Sequence, residues 1–230
     1  MNILAFDTVS SSFSIALKKD NNTIIEYNKC NIKNHNEHLL PVLSSFLKNN
    51  NISLNDITHI ALGIGPGSFT ALRIEFSSVK TICYAKKIPI IGISSLDALY
   101  ENIKDYNNIK VSMIDGRKGS IYANVYYNDK KLKENSDLTY NELIEIIKSI
   151  NNKNIALCGD GFLKNYHFFM ENLKNYSIKK LDNSYNIIKA SNIIKLSIPK
   201  IEADNFDDIF TLLPIYIRKS EAEYKKYNLY

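Results

Sequence analysis

The chain has 230 residues, 45% hydrophobic and 23% charged, with a formal net charge of +5. This is ordinary globular composition, enough for one large domain or two modest ones, with material for a core of useful size. No apolar run reaches the ~20 residues that a bilayer span needs. The lysines are scattered among asparagines and tyrosines rather than clustered, which tolerates a nucleic-acid partner without demanding one.

The opening Met1–Asp7 is too short, and meets an acid too early, for a signal peptide, so the chain reads as cytoplasmic. Ile3–Asp7 reads as a buried strand, continued by strands at Ser12–Leu17 and Thr23–Tyr27, an opening β-meander. Residues 37–48 read as a helix: Leu39, Leu40, Val42, Leu43, Phe46 and Leu47 fall within an arc of about 160°. A strand at Ile57–Leu62, a long helix over 68–85 and a strand at Pro89–Ile93 follow. Strand, helix, strand, helix, strand signals a parallel portion added to the meander.

After a short helix near Ser95–Ile103 the chain turns polar, which places a domain boundary there, between 1–104 and 105–230. In the second half, Ile109–Ile114, Ile121–Tyr127 and Ile155–Cys158 read as strands, with helices over Tyr140–Ile150 and Phe162–Leu173. No sequence repeat links the halves. The three cysteines, Cys30, Cys83 and Cys158, form no Cys-x-x-Cys pair. That argues against a zinc ribbon or thioredoxin-type site and for packing roles in a reducing compartment.

The most informative segment is Gly63-Ile64-Gly65-Pro66-Gly67-Ser68-Phe69-Thr70. A glycine-rich turn between strand and helix lets backbone amides approach an anion. It is neither a Walker A loop, since no Gly-Lys-Ser/Thr follows, nor a Rossmann fingerprint, whose glycine spacing differs. Spacing alone leaves two readings open: a phosphate cradle formed by Asp7, Gly65, Gly67 and Ser68, or a tight turn that packs a helix on a sheet. Ser68 is placed as an N-cap in either.

Residues 61–73, Ala-Leu-Gly-Ile-Gly-Pro-Gly-Ser-Phe-Thr-Ala-Leu-Arg, closely resemble the characteristic segment of TsaB proteins. Asp7-Thr8 with Ser14–Leu17, Glu37–Pro41, Asp115–Gly119 with Tyr122, Gly159-Asp160-Gly161 and Leu213–Arg218 resemble further landmarks, so the likeness spans nearly the whole chain. The resemblance implies a two-domain α/β fold of the actin-like ATPase (ASKHA) superfamily, each domain a mixed sheet with helices. It implies an accessory protein of tRNA threonylcarbamoyladenosine modification that stabilises or activates the TsaD transferase through a heterodimer. A larger complex with a TsaE-like ATPase and a homodimer are further implied assemblies, with tRNA met only indirectly. No cofactor is expected.

TsaD-like enzymes carry a His-x-x-x-His metal pair after the strand matching Pro89–Ile93. Here Ser95 and Leu99 occupy those positions, and neither suits a catalytic metal. Hence no catalytic and no metal residues are expected. The pair His35/His38 does not form the zincin pattern, and "glycoprotease-like" names find no protease machinery to support them. The alternative is an active ATP-dependent phosphotransferase or ATPase using the glycine loop, with Asp7 on Mg²⁺. Asp160 reads either as part of a second nucleotide loop or as a strand-to-helix N-cap.

The helix over 68–85 carries two apolar stripes, Phe69/Leu72/Phe76/Val79/Cys83 and Ala71/Ile74/Ser78/Ile82/Ala85. An arc this wide implies burial on two sides. The helices over 37–48 and 68–85 are therefore expected to form the partner face, through His38, Leu39, Leu43, Phe69, Leu72, Phe76 and Val79. The sequence departs from the family at Ala71 and Glu75, where glycine is usual. Glu75, inside the apolar arc, is expected to pair with a basic residue, since a lone buried carboxylate is costly. The tail Tyr216–Tyr230 mixes tyrosines with Arg218, Lys219, Lys225 and Lys226, a pattern that fits RNA stacking or a solvated end.

Overall fold

Strand β1 (Ile3–Asp7) is buried at every position, as is β2 (Ser12–Lys18), whereas β3 (Ile24–Cys30) is mostly exposed. Strands covered on both faces belong inside a sheet, and the exposed one belongs at its edge. The computed structural model describes residues 1–20, 23–30, 39–106 and 108–218, and its first sheet has the order β3-β2-β1-β4-β5. Here β4 is His59–Gly63 and β5 is Ile90–Ile93. The meander β1–β2–β3 is antiparallel, while β4 and β5 join it in parallel.

Parallel strands need crossover connections, which helices supply. α1 (Leu39–Asn49) links β3 to β4, and α2 (Phe69–Lys86) links β4 to β5. α2 begins where the Ser68 hydroxyl accepts from the Ala71 N–H at 3.5 Å. It ends at Lys87, whose left-handed φ of 54° lets its N–H reach the Cys83 and Tyr84 carbonyls.

The second sheet repeats this plan without any readable sequence repeat. Its order is β10-β9-β6-β7-β8, with β6 (Ile109–Arg117), β7 (Ser120–Tyr127) and β8 (Lys130–Thr139) as the antiparallel meander. β9 (Asn154–Cys158) and β10 (Ser177–Ile178) add in parallel. α4 (Tyr140–Ser149) makes the first crossover, opened by a Thr139/Glu142 capping box. The expected helix over 162–173 is two pieces, α5 (Asp160–Lys164) and α6 (Tyr166–Asn172), broken at Asn165. β8, β10 and α7 (Ala190–Glu202) are elements that the sequence pattern does not announce. β8 is largely exposed and polar, so it shows little of the apolar alternation that marks a strand.

α3 (Ser95–Tyr100) joins the halves. One oxygen of Asp97 accepts from Asn124 Nδ2, Tyr126 Oη and Lys131 Nζ, each at 2.8 Å, all from β7 and β8. Tyr100 stacks on Tyr126 with ring centroids 3.8 Å apart. α7 returns from the second half to pack on β1, β2, β4 and β5. Among the described residues no helix is long and apolar enough to cross a membrane.

Ile193 and Ile194 of α7 are fully buried in the core that includes the first sheet. Ile193→Ala should therefore cost about 2–5 kcal/mol in urea unfolding. A change within ~0.5 kcal/mol, the range of a surface substitution, would mean that α7 is not part of that core.

Candidate functional site

Asp7 ends β1 at 1% exposure. Its Oδ2 accepts from the Ser95 hydroxyl at 2.6 Å, and its Oδ1 accepts from the Val9 N–H at 3.1 Å. The space it occupies exists because residue 63 is glycine: a Cβ there would sit 2.1 Å from Asp7 Oδ2. Ser95 is engaged twice more, since its Oγ accepts from the Gly65 N–H at 3.1 Å and its own N–H donates to the Gly65 carbonyl at 2.9 Å. Burial pushes the Asp7 carboxyl up to about 7, against the lowering effect of these hydrogen bonds, and the charge of Asp160 adds to the rise.

The rest of the glycine loop is seated equally closely. A Cβ on Gly67 would lie 2.6 Å from both the Cβ and the carbonyl oxygen of Val9. The Ser68 N–H donates to that carbonyl at 2.9 Å. Gly65 has φ +89°, which an L side chain rarely adopts, and it faces the Ile215 carbonyl. The amides that would cradle a phosphate are thus directed at the chain's own oxygens: Ile64 N–H to Ile93, Gly65 N–H to Ser95, Ser68 N–H to Val9. Each Asp7 oxygen also accepts one donor from the chain itself.

Glu75 of α2 is 1% exposed and lies in this same region. Its Oε2 accepts from the Thr8 hydroxyl at 2.7 Å, and its Oε1 has no hydrogen-bond partner. Burial, reinforced by the charge of Asp7, holds it well above the usual carboxylate range. The expected basic partner is replaced by a hydroxyl, and burial favours the protonated form of the acid.

At the mouth between the halves, Asp160 accepts from the Ser11 N–H at 3.3 Å and the Asp115 N–H at 3.0 Å. One carboxylate thereby joins the β1–β2 turn to the end of β6. Lys164 pairs with Asp115 at 2.7 Å and with Asp160 at 3.6 Å. The chain then crosses from one half to the other: the Ile215 N–H donates to the Ile64 carbonyl at 2.8 Å. The Arg218 guanidinium binds Asp137, Ser120 and the Gly116 carbonyl. In sequence Arg218 shows only as a family landmark and a tail cation, because its partners lie 81 to 102 positions away along the chain.

The chain matches the family described as "TsaD: tRNA N6-adenosine threonylcarbamoyltransferase" over residues 29–225. Among relatives, it is 34% identical over 172 residues to the TsaB protein of Buchnera aphidicola subsp. Baizongia pistaciae, covering 70% of this chain and 76% of that one. The chain belongs to the TsaB family. It is 33% identical to the Bacillus subtilis tRNA threonylcarbamoyladenosine biosynthesis protein TsaB, over 55% of each chain, so that match spans only about half of the relative. The match to the Haemophilus influenzae TsaB is 26% identical over 98% of this chain and 97% of that one. In fold, it is similar to a Pseudomonas aeruginosa protein with similarity to peptidase YeaZ, at TM-score 0.77, 20% identity, and coverage of 94% and 99%. A putative N-acetylmannosamine kinase from Listeria monocytogenes aligns at TM-score 0.52 with 13% identity, over 86% and 100%. The two duplicated sheets are those of the two-domain, actin-like α/β fold.

Within this TsaB-family fold, the expected partner face needs correction. Leu39, Leu43, Leu72, Phe76 and Val79 are buried in the chain's own core. Phe69 is half-buried, stacked on Tyr216 at 4.4 Å with the Arg73 guanidinium over its ring. His38, with His35, lies outside the described residues. The side chains that α1 and α2 do expose include Leu40, Lys48, Arg73 and Tyr84. Leu99 is fully buried and lies against the Cβ position of Gly159, across the junction between halves. His167 is exposed, and His59 packs on Phe206 with centroids 5.6 Å apart.

Two outcomes follow from this geometry. Gly63→Ala should lose about 1–3 kcal/mol through overpacking, and Asp7→Ala in the same chain should recover part of that loss. Additive losses would mean that the Cβ and the carboxylate do not compete for space. Asp7 and Glu75 both have folded-state affinities for protons raised above their unfolded values. Their stabilisation is complete below the unfolded value, 3.8 for Asp7, and is lost as pH rises through the folded value, about 7 for Asp7. Urea midpoints should therefore fall between pH 5 and 8, and Glu75→Gln, which stays neutral, should fall less steeply; identical slopes would refute the protonated Glu75.

Proposed function

We propose that this chain acts in tRNA threonylcarbamoyladenosine biosynthesis as a non-catalytic partner of a TsaD-like transferase, which it stabilises or activates in a heterodimer. The names of the TsaB relatives supply the pathway. The observation that carries the non-catalytic reading is the internal use of the loop: Ser95 donates to Asp7 at 2.6 Å where a metal ligand would stand in the enzyme. Asp7, Gly65, Gly67 and Ser68 are then a vestigial nucleotide loop whose work is to seat α2. A TsaE-like ATPase would join through the transferase, and tRNA would be met only indirectly, in the cytoplasm.

The docking face in this reading is the exposed side of α1 and α2, centred on Leu40 rather than on the buried Leu43 and Phe76. Leu40 is 53% exposed, so changing it should leave the fold intact. Leu40→Asp should abolish co-purification with the TsaD-like transferase of the same organism at an unchanged melting temperature. Threonylcarbamoyl transfer to tRNA should drop when the chain is omitted or carries this change. Unaltered binding by Leu40→Asp would move the face elsewhere. Tight Mg²⁺-ATP binding by the isolated chain in calorimetry would favour the phosphotransferase alternative instead.

A further inference from the structure

We infer that the outer edge of β3 is a self-pairing site, where the β3 of a second copy of this chain adds antiparallel and joins the first sheets of both copies into one. The surface is separate from the α1 and α2 face and does not rest on the heterodimer reading. An open sheet edge presents unpaired N–H and C=O groups. Proteins blunt such an edge by keeping it short, bulging it, placing lysines on it or covering it.

Among the described residues, three of the four sheet edges carry such a device. β5 is covered: the Asp207 N–H donates to the Ile90 carbonyl at 3.0 Å, the Gly92 N–H donates to Asp207 Oδ2 at 2.7 Å, and Lys200 Nζ donates to the Gly92 carbonyl at 3.0 Å. β8 carries Lys130, Lys131 and Lys133, and its pairing with β7 is broken by register shifts. β10 is two residues long. β3 has none of these. Its seven residues pair with β2 in unbroken register, with no proline and one lysine among them. It leaves Ile24 46% and Tyr27 42% exposed, and no other described strand lies beside it.

The backbone pattern sets the register. The Lys19 N–H donates to the Thr23 carbonyl at 2.9 Å. In the alternation of an antiparallel ladder, Ile25, Tyr27 and Lys29 then bond to β2, while Ile24, Glu26, Asn28 and Cys30 turn their amides and carbonyls outward. A second copy must set outward residues against outward residues, so a two-fold axis passes through a single residue. With the axis on Tyr27 the whole strand pairs: Ile24 with Cys30, Ile25 with Lys29, Glu26 with Asn28, and Tyr27 with itself across the axis. No like charges are opposed, and the two tyrosines form an aromatic cross-strand pair. Every other axis leaves end residues unpaired, and an axis on Glu26 or Lys29 also sets like charges face to face. The Glu26 carboxylate is already engaged, accepting from the Ser191 N–H at 2.8 Å.

The test combines sedimentation of the full chain over a hundredfold range of concentration with a cross-link read on a non-reducing gel. Wild type should form a reversible dimer. Tyr27→Lys sets two ammonium groups across the axis and should weaken the dimer on the order of tenfold at an unchanged melting temperature. Ile24→Cys should form an intermolecular disulfide with Cys30 under mild oxidation, because paired Cα atoms about 5.5 Å apart suit that bond. Within one chain the same two positions lie about 20 Å apart along the strand and cannot bridge. Ile24→Cys/Cys30→Ser should therefore not cross-link. A chain that stays monomeric throughout, or a dimer that folded Tyr27→Lys leaves at full strength, overturns the proposal. So does a failure of Ile24→Cys to cross-link, which decides the matter alone should Tyr27→Lys not fold, and so does a cross-link that persists without Cys30. A dimer abolished by Leu40→Asp would belong to the helix face and overturns it as well.

Discussion

The glycine loop depends on the hydrogen bond from Ser95 to the buried Asp7, made possible by the bare backbone at Gly63. A buried carboxyl without donors would be expensive. Here β1, β4 and the start of α3 converge so that each oxygen receives one donor. The cost of the arrangement falls on sequence freedom. Gly63 admits no Cβ, and Gly67 is pressed against Val9. The loop is therefore set by close backbone approach within the protein, and the amides of Ile64, Gly65 and Ser68 end on the chain's own oxygens.

The same economy operates between the halves. Two sheets of equal topology meet through a shared apolar core, which Ile114, Tyr122, Ala156 and Cys158 of the second sheet join, with polar contacts beside it. Asp97 gathers donors from Asn124, Tyr126 and Lys131, and Asp160 gathers amides from the β1–β2 turn and from β6. α7 then lays a buried apolar face on the first sheet, although it follows the second sheet in the chain. Separating the halves would take these polar groups from their partners.

α2 connects this interior to the surface. One stripe, Leu72, Phe76, Val79 and Cys83, is buried in the core, and Ile82 on the other borders the groove with α1. The exposed positions are Thr70, Arg73, Ser77, Thr81, Tyr84, Ala85 and Lys86. One helix thereby holds the buried Glu75, the cap at Ser68 and the rim of the groove, so the geometry of the loop fixes how the outer face is presented.

The sequence by itself determined the order of the first meander, the glycine loop, the Ser68 cap, the actin-like architecture and the TsaB family. Those features are local, being short-range periodicity, cap chemistry and a contiguous motif. It read two apolar stripes on α2 but took the first, from Leu72 to Val79, as the partner face, because side-chain type alone does not say what covers a stripe. Tertiary structure decided that question by packing the first stripe into the core. It also decided the partners of Asp7 and Glu75: Ser95 lies 88 positions from Asp7, and Thr8 lies 67 from Glu75. Whether a carboxyl meets a hydroxyl, an amide or a lysine depends on which distant strands and helices are brought within about 3 Å, the reach of a hydrogen bond.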